Sequence, residues 1–491
     1  MAASRILLIV NTVFVFLYLL CQFRFLLLAL LDGLLPAKPE THTELTPWPE
    51  ITIQLAVYRE HKILRNLLLT LIALEAPRKA FTIQVLDDST GMEAKLTRGV
   101  VDELASAEVT ITYINRGSRS GFKAGALNHG LAMTSAELVV FFDADCVPKS
   151  NFLKRTVSHF ADPTVAAVQA RWDYPEALCS PLTQMQAAIF EWLFRFEILL
   201  RAKLEMPVFY MGTAAIWRRQ AIQDLGGWQE EPLTCEDLDL AYRAAIRGWR
   251  VLYQPEVLAS NTAIEQVLAF RAQQRRWARS LLQVGYDNFP AIRRAHWPLW
   301  AKLLEFSMLL THGMPGVLLA ATLLSALAVV LGIDRTPWWF TTQCIFTASF
   351  LLSPAMATLI LVQRSLHQDW RRRTWALLRS LPAAMGMTTS FVFGMLDFIR
   401  RRPGEFTSTP KGGAVGVVEG SSRKWLFKQV SPLVFEGAAG TFTALSAVIA
   451  AVHYPEACVV LGSVGCATLV SFGRTLLAVL GHAARLRSTV T

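Results

Sequence analysis

Hydrophobic residues are distributed unevenly along the chain and collect in long runs at its start and in its second half. The longest apolar runs occupy residues 5–31, 304–332, 340–363, 431–452 and 456–482. Each can form an α-helix that crosses a hydrocarbon core of roughly 30 Å, because a helix rises about 1.5 Å per residue. The pattern therefore predicts five membrane-spanning helices.

The first run is predicted to be a membrane anchor formed within residues 1–34. Arg24 interrupts this run, which is longer than the apolar segment of a signal peptide and has no A-x-A cleavage site after it. Residues 300–364 are predicted to form one transmembrane pair and residues 431–483 a second, followed by a tail over residues 484–491. The membrane part is thus expected to consist of one anchor and two helical pairs.

A sixth apolar run, residues 376–398, differs from the others because it contains Arg379, Pro382 and Asp397. Basic residues flank it on both sides, whereas a crossing helix has an excess of basic residues only on its cytoplasmic side. We interpret it as a helix lying on the membrane surface, within a segment that covers residues 365–430. This interpretation puts the N-terminus outside the cell, and the middle of the chain and its C-terminal tail in the cytoplasm.

Residues 48–295 resemble ordinary globular sequence in which strand and helix patterns alternate. The predicted strands are 51–57, Phe81–Leu86, Val109–Ile114 and Leu138–Phe142, and residues 61–74 have helical spacing. The continuous apolar run of the fourth strand is typical of a strand buried on both faces of a parallel sheet. The alternation predicts an α/β domain with a doubly wound sheet, in which ligands bind beyond the carboxyl ends of the strands.

Composition supports a membrane protein. Of the 491 residues, 53% are hydrophobic and only 18% are charged, which is too apolar for an ordinary soluble protein of this length. The net charge is +10, and basic clusters such as Arg371–Arg373 and Arg400–Arg402 lie beside apolar runs, where they suit anionic lipid. No nucleic-acid-binding motif accompanies the charge, so nucleic acid is not an expected partner.

The seven cysteines form no C-x-x-C pair, which argues against a disulfide framework and a zinc site.

Two predicted strands end in clustered acidic residues, Asp87 and Asp88 after the second strand and Asp143 and Asp145 after the fourth. Carboxylates at positions i and i+2 can share one divalent cation, and oxygen ligands suit Mg²⁺ or Mn²⁺. A D-x-D pattern alone is common in surface loops, but an acid pair directly after a buried strand is costly unless it binds something. No cationic partner is evident nearby in the sequence, so we predict a metal site at Asp143 and Asp145 that bridges to a diphosphate.

Three further segments each allow two interpretations. Lys123, between glycines, lies either in a loop close to phosphate or at an exposed helix start. Glu236 and Asp237 at the start of a helix either complement its dipole or supply a general base, while Asp239 points to another face of that helix. The segment 273–277 either lies on the membrane as a basic amphipathic helix or contributes to a site.

In combination, the motifs Asp-Asp, Asp-x-Asp, x-Glu-Asp and Gln-x-x-Arg-Trp over residues 48–295 resemble the processive, inverting family-two glycosyltransferases of the cellulose and hyaluronan synthase type. The segments Gln84–Thr90 and Val168–Trp172 are similar in sequence to cellulose-synthase-like proteins of the glucomannan 4-β-mannosyltransferase kind. The resemblance implies a GT-A-type glycosyltransferase domain inserted between the transmembrane helices of an α-helical membrane region.

The resemblance also implies roles for the motif residues. Residues that would bind the nucleotide-sugar donor are Glu60, Asp87, Asp88, Lys123, Asp143 and Arg276, with Asp143 and Asp145 holding Mg²⁺ or Mn²⁺. Residues that would contact the acceptor are Gly212, Thr213, Gln273 and Trp277. Glu236 and Asp237 would be the catalytic acids, with Asp237 as the base for the acceptor hydroxyl. Two positions depart from the family pattern: Arg59 stands where Asn is usual, and Cys235 where Thr or Val is usual.

Residues 406–411 resemble the gating loop of cellulose synthases, which follows an interfacial helix and covers the loaded donor. Phe406, Thr409 and Lys411 carry this resemblance, whereas Ser408 departs from the usual valine. The position of the segment after the sixth apolar run agrees with that arrangement.

The implied function is transfer of a hexose from a nucleotide sugar of the UDP-glucose or GDP-mannose class to a growing β-linked polysaccharide, with secretion across the membrane. The expected setting is the cell (inner) membrane, with a polysaccharide or lipid-linked acceptor, membrane lipid and accessory secretion subunits as partners. Two alternatives stay open: a non-processive enzyme that glycosylates a ceramide or polyprenyl lipid, and a non-enzymatic transporter or scaffold. The gating-loop resemblance favours the polymer, and the presence of Asp237 argues against a scaffold.

Overall fold

The computed structural model of the protein describes residues 2–36, 45–77, 80–105, 109–230, 235–333, 336–401 and 423–488. The strands in these residues belong to one sheet. They are β1 (Ile51–Val57), β2 (Phe81–Asp87), β3 (Thr110–Asn115), β4 (Leu138–Phe142), β5 (Cys146–Pro148), β6 (Val165–Asp173), β7 (Ala215–Arg218) and β8 (Arg250–Asn261).

Helices surround the sheet and continue into the rest of the chain. The α-helices are α1 (Ala2–Leu34), α2 (His61–Ile72), α3 (Gly91–Leu104), α4 (Phe122–Ala132), α5 (Phe152–Val157), α6 (Pro181–Trp192), α7 (Leu199–Lys203), α8 (Arg219–Asp224), α9 (Glu236–Ile246), α10 (Val267–Arg294), α11 (Leu299–His312), α12 (Met314–Val330), α13 (Pro337–Leu351), α14 (Pro354–Leu366), α15 (Trp370–Ile399), α16 (Arg423–His453) and α17 (Pro455–Ser488). A π-helical segment, Leu193–Ile198, joins α6 to α7, and 3₁₀ turns cover Ser158–Ala161 and Ala177–Cys179.

The strand order across the sheet is β3-β2-β1-β4-β7-β6-β8-β5. β3, β2, β1 and β4 are mutually parallel, which confirms the four predicted strands and their doubly wound arrangement. β7 runs antiparallel to both of its neighbours, so the sheet is mixed in its second half. With β7 reversed, β6 points the same way as β4, and the carboxyl ends of β1, β2, β4 and β6 therefore meet at one edge.

Apolar residues cover both faces of the sheet. In β4 every position is buried, with Leu138, Val140 and Phe142 in the cluster that contains α2, and Val139 and Phe141 in the cluster that contains α4 and α9. Successive side chains of a strand point to opposite faces, so a central strand covered on both sides must be apolar throughout. The same packing fixes α4 and α9 over the sheet edge where β4 ends.

Among the described residues, five segments are long and apolar enough to cross a membrane, by length and composition: Ala2–Leu34, Pro337–Leu366, Trp370–Ile399, Ser431–His453 and Pro455–Gly481. The predicted span 304–332 is not among them, because the chain divides it at Gly313 into α11 and α12. Pro315 follows that break in the first turn of α12, a position where proline is favoured since its missing N–H is not needed there. The 17 residues of α12 extend about 26 Å, slightly short of a full crossing.

Residues 376–398, predicted to lie on the membrane surface, fall inside α15, which meets the same criteria of length and composition for crossing. α15 also packs along α10 of the sheet domain. Length and composition do not distinguish a surface helix from a crossing one. The surface location, the number of spans, the orientation and the domain boundaries therefore stay predictions.

A network of buried ion pairs joins α1 to the sheet domain. Arg24, which interrupts the first apolar run, is 4% exposed and donates to Oε2 of Glu197 at 2.6 Å and to Oγ of Ser307 at 2.9 Å. Glu197 also accepts from Nε of Arg201 at 2.8 Å, and Arg201 pairs in turn with Glu305 of α11. The charge within α1 is thus compensated by protein groups rather than exposed to lipid.

Glu197→Gln is expected to destabilise the protein, because it leaves the buried Arg24 and Arg201 with less compensating charge. Removing one partner of a buried pair costs about 3–5 kcal/mol, so the Tm of the purified protein in detergent should fall. The control is Glu103→Gln, which breaks the exposed pair with Arg65 and should leave Tm unchanged. Equal Tm values for the two variants would contradict the structural role of Glu197.

Candidate active site

A cavity opens at the sheet edge where β1, β4 and β6 end, and residues of α4, α9 and α10 close it. It brings together most of the residues predicted from the sequence: Glu60, Asp88, Lys123, Asp143, Asp145, Gly212, Thr213, Glu236, Asp237, Gln273, Arg276 and Trp277. Asp87 does not line it. Phe406, Thr409 and Lys411 of the predicted gating loop lie outside the described residues.

Lys123 joins two parts of the cavity wall. Gly121, with a left-handed φ of 67°, ends the loop before α4, a conformation that glycine adopts without strain. Nζ of Lys123, in the first turn of α4, donates to the carboxylate of Asp143 and to the backbone oxygen of Gly212 at 2.8 Å. Asp143 therefore has a cationic partner that its neighbours in sequence do not supply. Whether Lys123 also reaches a phosphate group stays a prediction.

The charge of Lys123 is stabilised by several carboxylates. Burial alone would lower the pKa of Lys123, but Asp143, Glu236 and Asp237 outweigh burial and raise the pKa above its usual range. The lysine is thus a permanent cation at the centre of an acidic cavity.

Asp143 and Asp145 both face the cavity at the end of β4. The backbone N–H of Asp143 donates to Oγ1 of Thr213 at 2.9 Å, which fixes the end of the strand. In the described part of the chain, no group of three or more His, Cys, Asp or Glu side chains is placed to hold a metal ion. Two carboxylates beside open space fit Mg²⁺ or Mn²⁺, since such ions take their other ligands from substrate phosphates and water. Asp143 and Asp145 are therefore chemically suited to hold such an ion, and their role as metal ligands stays a prediction.

The two acids at the end of β2 have different environments. Asp88 lines the cavity, and Nε and Nη2 of Arg116 donate to its two oxygens at 2.8 and 2.6 Å. Asp87 is fully buried and accepts hydrogen bonds from the N–H of Ser89 at 2.8 Å and the hydroxyl of Tyr113 at 2.9 Å. Neighbouring side chains of a strand point to opposite sides. Asp88 therefore faces the cavity while Asp87 binds the turn after β2, and the donor-binding role of both residues stays a prediction.

Glu236 and Asp237 form the first turn of α9. Oδ1 of Asp237 accepts from the N–H of Leu238 at 2.8 Å. Burial and the neighbouring charge of Glu236 raise the pKa of Asp237 to about 7. A helix N-terminus favours the ionised form, but burial and Glu236 outweigh that effect here. The result is a carboxyl group that can exchange a proton near neutral pH.

Asp239, two residues further along α9, lies away from the cavity as predicted. Its Oδ2 accepts from Nε of Arg243 at 2.7 Å, and its Oδ1 accepts from Nδ2 of Asn288 at 3.2 Å. Because Asn288 belongs to α10, Asp239 ties the two helices of the cavity wall together.

Helix α10 contributes Gln273, Arg276 and Trp277 to the cavity. Burial lowers the pKa of Arg276, while Glu236 acts in the opposite direction. A guanidinium in this position keeps its charge at neutral pH and offers several N–H donors to an anionic ligand.

Aromatic rings gather around Trp277. The ring of Phe190 contacts Trp277 edge-on with a centroid distance of 5.9 Å, and lies 5.2 Å from Trp172 and 5.6 Å from Tyr174. All four line the cavity, which gives one part of it an apolar wall suited to sugar rings. Phe190 and Tyr174 were not predicted, because isolated aromatic residues in a sequence more often belong to a core.

Tyr58, Glu60 and Arg119 form another part of the lining. The N–H of Tyr58 donates to Oε2 of Glu60 at 3.4 Å, and the guanidinium of Arg119 lies 3.6 Å from the centroid of the Tyr58 ring. Arg119 was missed because its loop carries no periodic pattern. Its position shows that the β3–α4 loop contributes to the cavity.

Arg59, which stands where the family has Asn, has a left-handed φ of 58°. Asn adopts this conformation more readily than other non-glycine residues. The N–H of Arg59 donates to Oγ of Ser89 at 2.8 Å, and Arg59 does not line the cavity. The guanidinium of Arg59 lies 5.0 Å from the centroid of the Tyr58 ring, so the substitution affects both the backbone turn and the side chain packed on Tyr58.

Comparison with known proteins agrees with this geometry. The sequence model of the family described as "Glycosyltransferase like family 2" matches residues 49–280. Probable glucomannan 4-beta-mannosyltransferase 7 of Oryza sativa subsp. japonica is 36% identical over 236 residues, which is 47% of this chain and 40% of that protein. Glucomannan 4-beta-mannosyltransferase 9 of Arabidopsis thaliana is 34% identical over 248 residues, 50% of this chain and 46% of that protein. The chain thus spans less than half the length of these curated relatives.

The fold also has a solved counterpart. The mannosyltransferase PcManGT from Pyrobaculum calidifontis, in complex with GDP-Man and Mn²⁺, superposes with a TM-score of 0.54 over 81% of this chain and 99% of that chain, at 22% identity. This likeness concerns the fold, and it confirms the predicted GT-A-type domain accompanied by apolar helices. Residues 49–280 of this chain therefore form a domain that matches glycosyltransferase family 2, and its curated relatives of 34–36% identity are glucomannan 4-beta-mannosyltransferases.

Proposed function

We propose that the protein is a membrane-embedded, inverting hexosyltransferase that takes its sugar from a nucleotide donor in the cytoplasm and adds it to a growing β-linked polysaccharide. The observation that carries this proposal is the convergence of Asp143, Asp145, Glu236, Asp237 and Arg276 on one cavity. Glycosyl transfer needs groups that receive a leaving diphosphate and a base that activates the acceptor. This set of side chains contains both.

The donor belongs to the UDP-glucose or GDP-mannose class. The names of the relatives, glucomannan mannosyltransferases, and the GDP-Man bound by PcManGT favour a mannosyl donor. Tyr58 and Glu60 would bind the base, because an aromatic ring can stack on it and a carboxylate accepts its N–H groups. Asp88, held by Arg116, would contact the rest of the nucleoside.

Asp143 and Asp145 would hold Mg²⁺ or Mn²⁺, and the ion would supply Lewis-acid stabilisation of the leaving diphosphate. Lys123 and Arg276 add fixed positive charge to the same cavity. Groups that are already in place when charge develops stabilise the transition state without a cost of reorganisation. The diphosphate would thus leave into a site that is prepared for it.

Asp237 would accept the proton of the acceptor hydroxyl as that oxygen attacks the anomeric carbon. The new bond to the acceptor forms while the bond to the diphosphate oxygen breaks on the opposite face, so a single displacement inverts the configuration. A carboxyl group whose pKa lies near 7 suits a base that works near neutral pH. Trp277, beside Phe190, would stack on the acceptor sugar.

Processive synthesis and secretion from the inner membrane rest on the resemblance of residues 406–411 to a gating loop and on the apolar helices. The cytoplasmic position of the catalytic domain rests on the basic flanks of those helices. Accessory secretion subunits and membrane lipid are the corresponding partners of the proposal.

Product analysis tests the proposal. Purified protein in nanodiscs is incubated with Mn²⁺ and a panel of radiolabelled UDP- and GDP-hexoses, and the products are sized before and after digestion with endo-β-mannanase and endo-β-glucanase. We expect label from one donor to enter a polymer that one of these enzymes degrades. Label found only as single sugars on extractable lipid would instead establish the lipid glycosyltransferase, and absence of transfer from every donor would contradict the proposed activity.

Asp145→Ala is expected to lose roughly 10²-fold or more in transfer rate, because the proposed cation would lose one of its two protein ligands. Initial rates at several Mn²⁺ concentrations, with and without EDTA, measure this effect. The control is Asp102→Ala, which removes an exposed carboxylate paired with Arg98 and should leave the rate unchanged. Near-normal turnover of Asp145→Ala, together with a wild-type protein that EDTA does not inhibit, would refute the metal site.

Asp237→Asn is expected to keep its affinity for nucleoside diphosphate and to lose transfer, by a factor in the range of about 10²–10⁴ that a general base contributes. Asp239→Asn should keep measurable activity, because Asp239 lies outside the cavity and binds Arg243. Diphosphate affinity and transfer rate are to be measured on both variants. Transfer by Asp237→Asn at more than about a tenth of the wild-type rate is incompatible with Asp237 as the base.

Gly212→Ala is expected to abolish transfer by displacing Asp237, because a Cβ at Gly212 would lie 2.8 Å from Oδ2 of Asp237. Gly226→Ala is the matched control, since Gly226 has the same φ of 81° but nothing within 4 Å of the added methyl group. Both variants carry about 1–2 kcal/mol of backbone strain, so both should lower Tm similarly. Only Gly212→Ala should lose transfer, and an equal loss in Gly226→Ala would show that the strain alone is responsible.

A further inference from the structure

Helix α10 carries polar side chains on two opposite faces. Gln273 and Trp277 line the cavity with Arg276, whereas Arg271 and Arg275 pair with carboxylates of other helices. A helix turns by about 100° per residue, so side chains two positions apart point in nearly opposite directions. The two arginine pairs therefore hold α10 from behind the cavity.

Arg271 connects α10 to three helices at once. Its Nη2 donates to Oε2 of Glu436 at 2.6 Å and to Oγ1 of Thr389 at 2.7 Å, and its Nη1 donates to Oγ1 of Thr475 at 3.3 Å. These partners belong to α16, α15 and α17 respectively. Arg271 is 3% exposed and Glu436 is fully buried, so the pair exists only while these helices stay together.

Arg275, one turn further along, joins α10 to α15. Its Nε donates to Oδ2 of Asp397 at 2.6 Å, and its guanidinium lies 5.6 Å from the centroid of Phe393. The two helices are in direct contact at Gly394. A Cβ added there would collide with the backbone oxygen of Arg275 and lie 2.8 Å from Cβ of Ala278. Glycine at position 394 thus permits the close approach that the ion pair requires.

We propose that the pairs Arg271–Glu436 and Arg275–Asp397 position α10 so that Arg276 meets the leaving diphosphate. The proposal rests on the proposed function, in which Arg276 binds that group. The four paired residues do not line the cavity and act through Arg276, so they are positioning residues.

Two pairs one helical turn apart control both the rotation and the sliding of α10. A guanidinium fixes the direction of its partner as well as its distance, so a helix held at two such points has little freedom left. A displacement of about 1 Å at a group that binds the reacting centre reduces the rate by up to roughly 10²-fold. Pairs that only stabilised the fold would instead lower Tm and leave the affinity of correctly folded protein unchanged.

The test measures the affinity of the full-length protein for UDP and GDP with Mn²⁺ by titration calorimetry. Asp397→Asn should weaken binding of the preferred diphosphate by about tenfold, because Arg276 loses its position. The matched control is Asp369→Asn, the same change at the N-cap of the same helix, where the carboxylate pairs with Arg373 of α15 itself. Asp369→Asn should bind as the wild-type protein does.

A double-mutant cycle identifies the residue through which Asp397 acts. In an Arg276→Ala background, Asp397→Asn should change the affinity by less than about twofold, because the group it positions is gone. An equal loss in both backgrounds, or a loss in Asp397→Asn no larger than in Asp369→Asn, would overturn the proposal. Wild-type protein that binds neither diphosphate would overturn the proposed function itself, and Arg276→Ala with unchanged affinity would overturn the role of Arg276 in it.

Gly394→Ala provides a second variant in case Asp397→Asn does not fold. It keeps every charge and separates α15 from α10 by steric contact. Gly473→Ala on α17 is its control, because an added methyl group there meets nothing within 4 Å. Gly394→Ala should weaken diphosphate binding about tenfold while Gly473→Ala does not, and equal affinities would overturn the proposal.

Discussion

The arrangement of the active site depends on one buried cation, Lys123. Its ammonium group lies among carboxylates from two separate segments, Asp143 at the end of β4 and Glu236 with Asp237 at the start of α9, and it also binds the backbone of Gly212. Buried acids repel one another and would stay neutral or separate without such a partner. Lys123 therefore permits a concentration of negative charge that suits a metal ion, while its own positive charge suits a diphosphate.

The position of the site follows from how the sheet domain is fixed to the apolar helices. Tyr242 of α9 donates to Oε2 of Glu305 at 2.9 Å, and Glu305 belongs to the network that continues through Arg201 to Arg24 of α1. A different set of contacts holds helix α10, because Arg271 joins it to α15, α16 and α17. The proposed base and the proposed diphosphate ligand thus belong to helices that are attached to different apolar helices.

Much of the sheet and of the site was predictable from the sequence, because these features depend on the local pattern of residues. Continuous apolar runs followed by acidic residues located the carboxyl ends of the strands. Asp88 and Asp143 line the cavity at these ends, as expected. What depends on tertiary contact was not predictable. The burial of Asp87 depends on which way the last residue of β2 points, the pKa of Asp237 depends on the surrounding protein, and the reversed strand β7 carries no periodicity that distinguishes it. The break of an apolar run at Gly313 had a sign in the sequence, since Gly313 and Pro315 are residues that often interrupt helices.

A structure of the protein in complex with a nucleoside diphosphate and Mn²⁺ is the most direct test of the proposed site. We expect the metal ion at Asp143 and Asp145, with the diphosphate between that ion and Arg276. A metal ion remote from both carboxylates would contradict the proposed site. So would a diphosphate bound elsewhere, for example in a separate cavity of the described chain that is lined by Trp249, Tyr253 and Trp297.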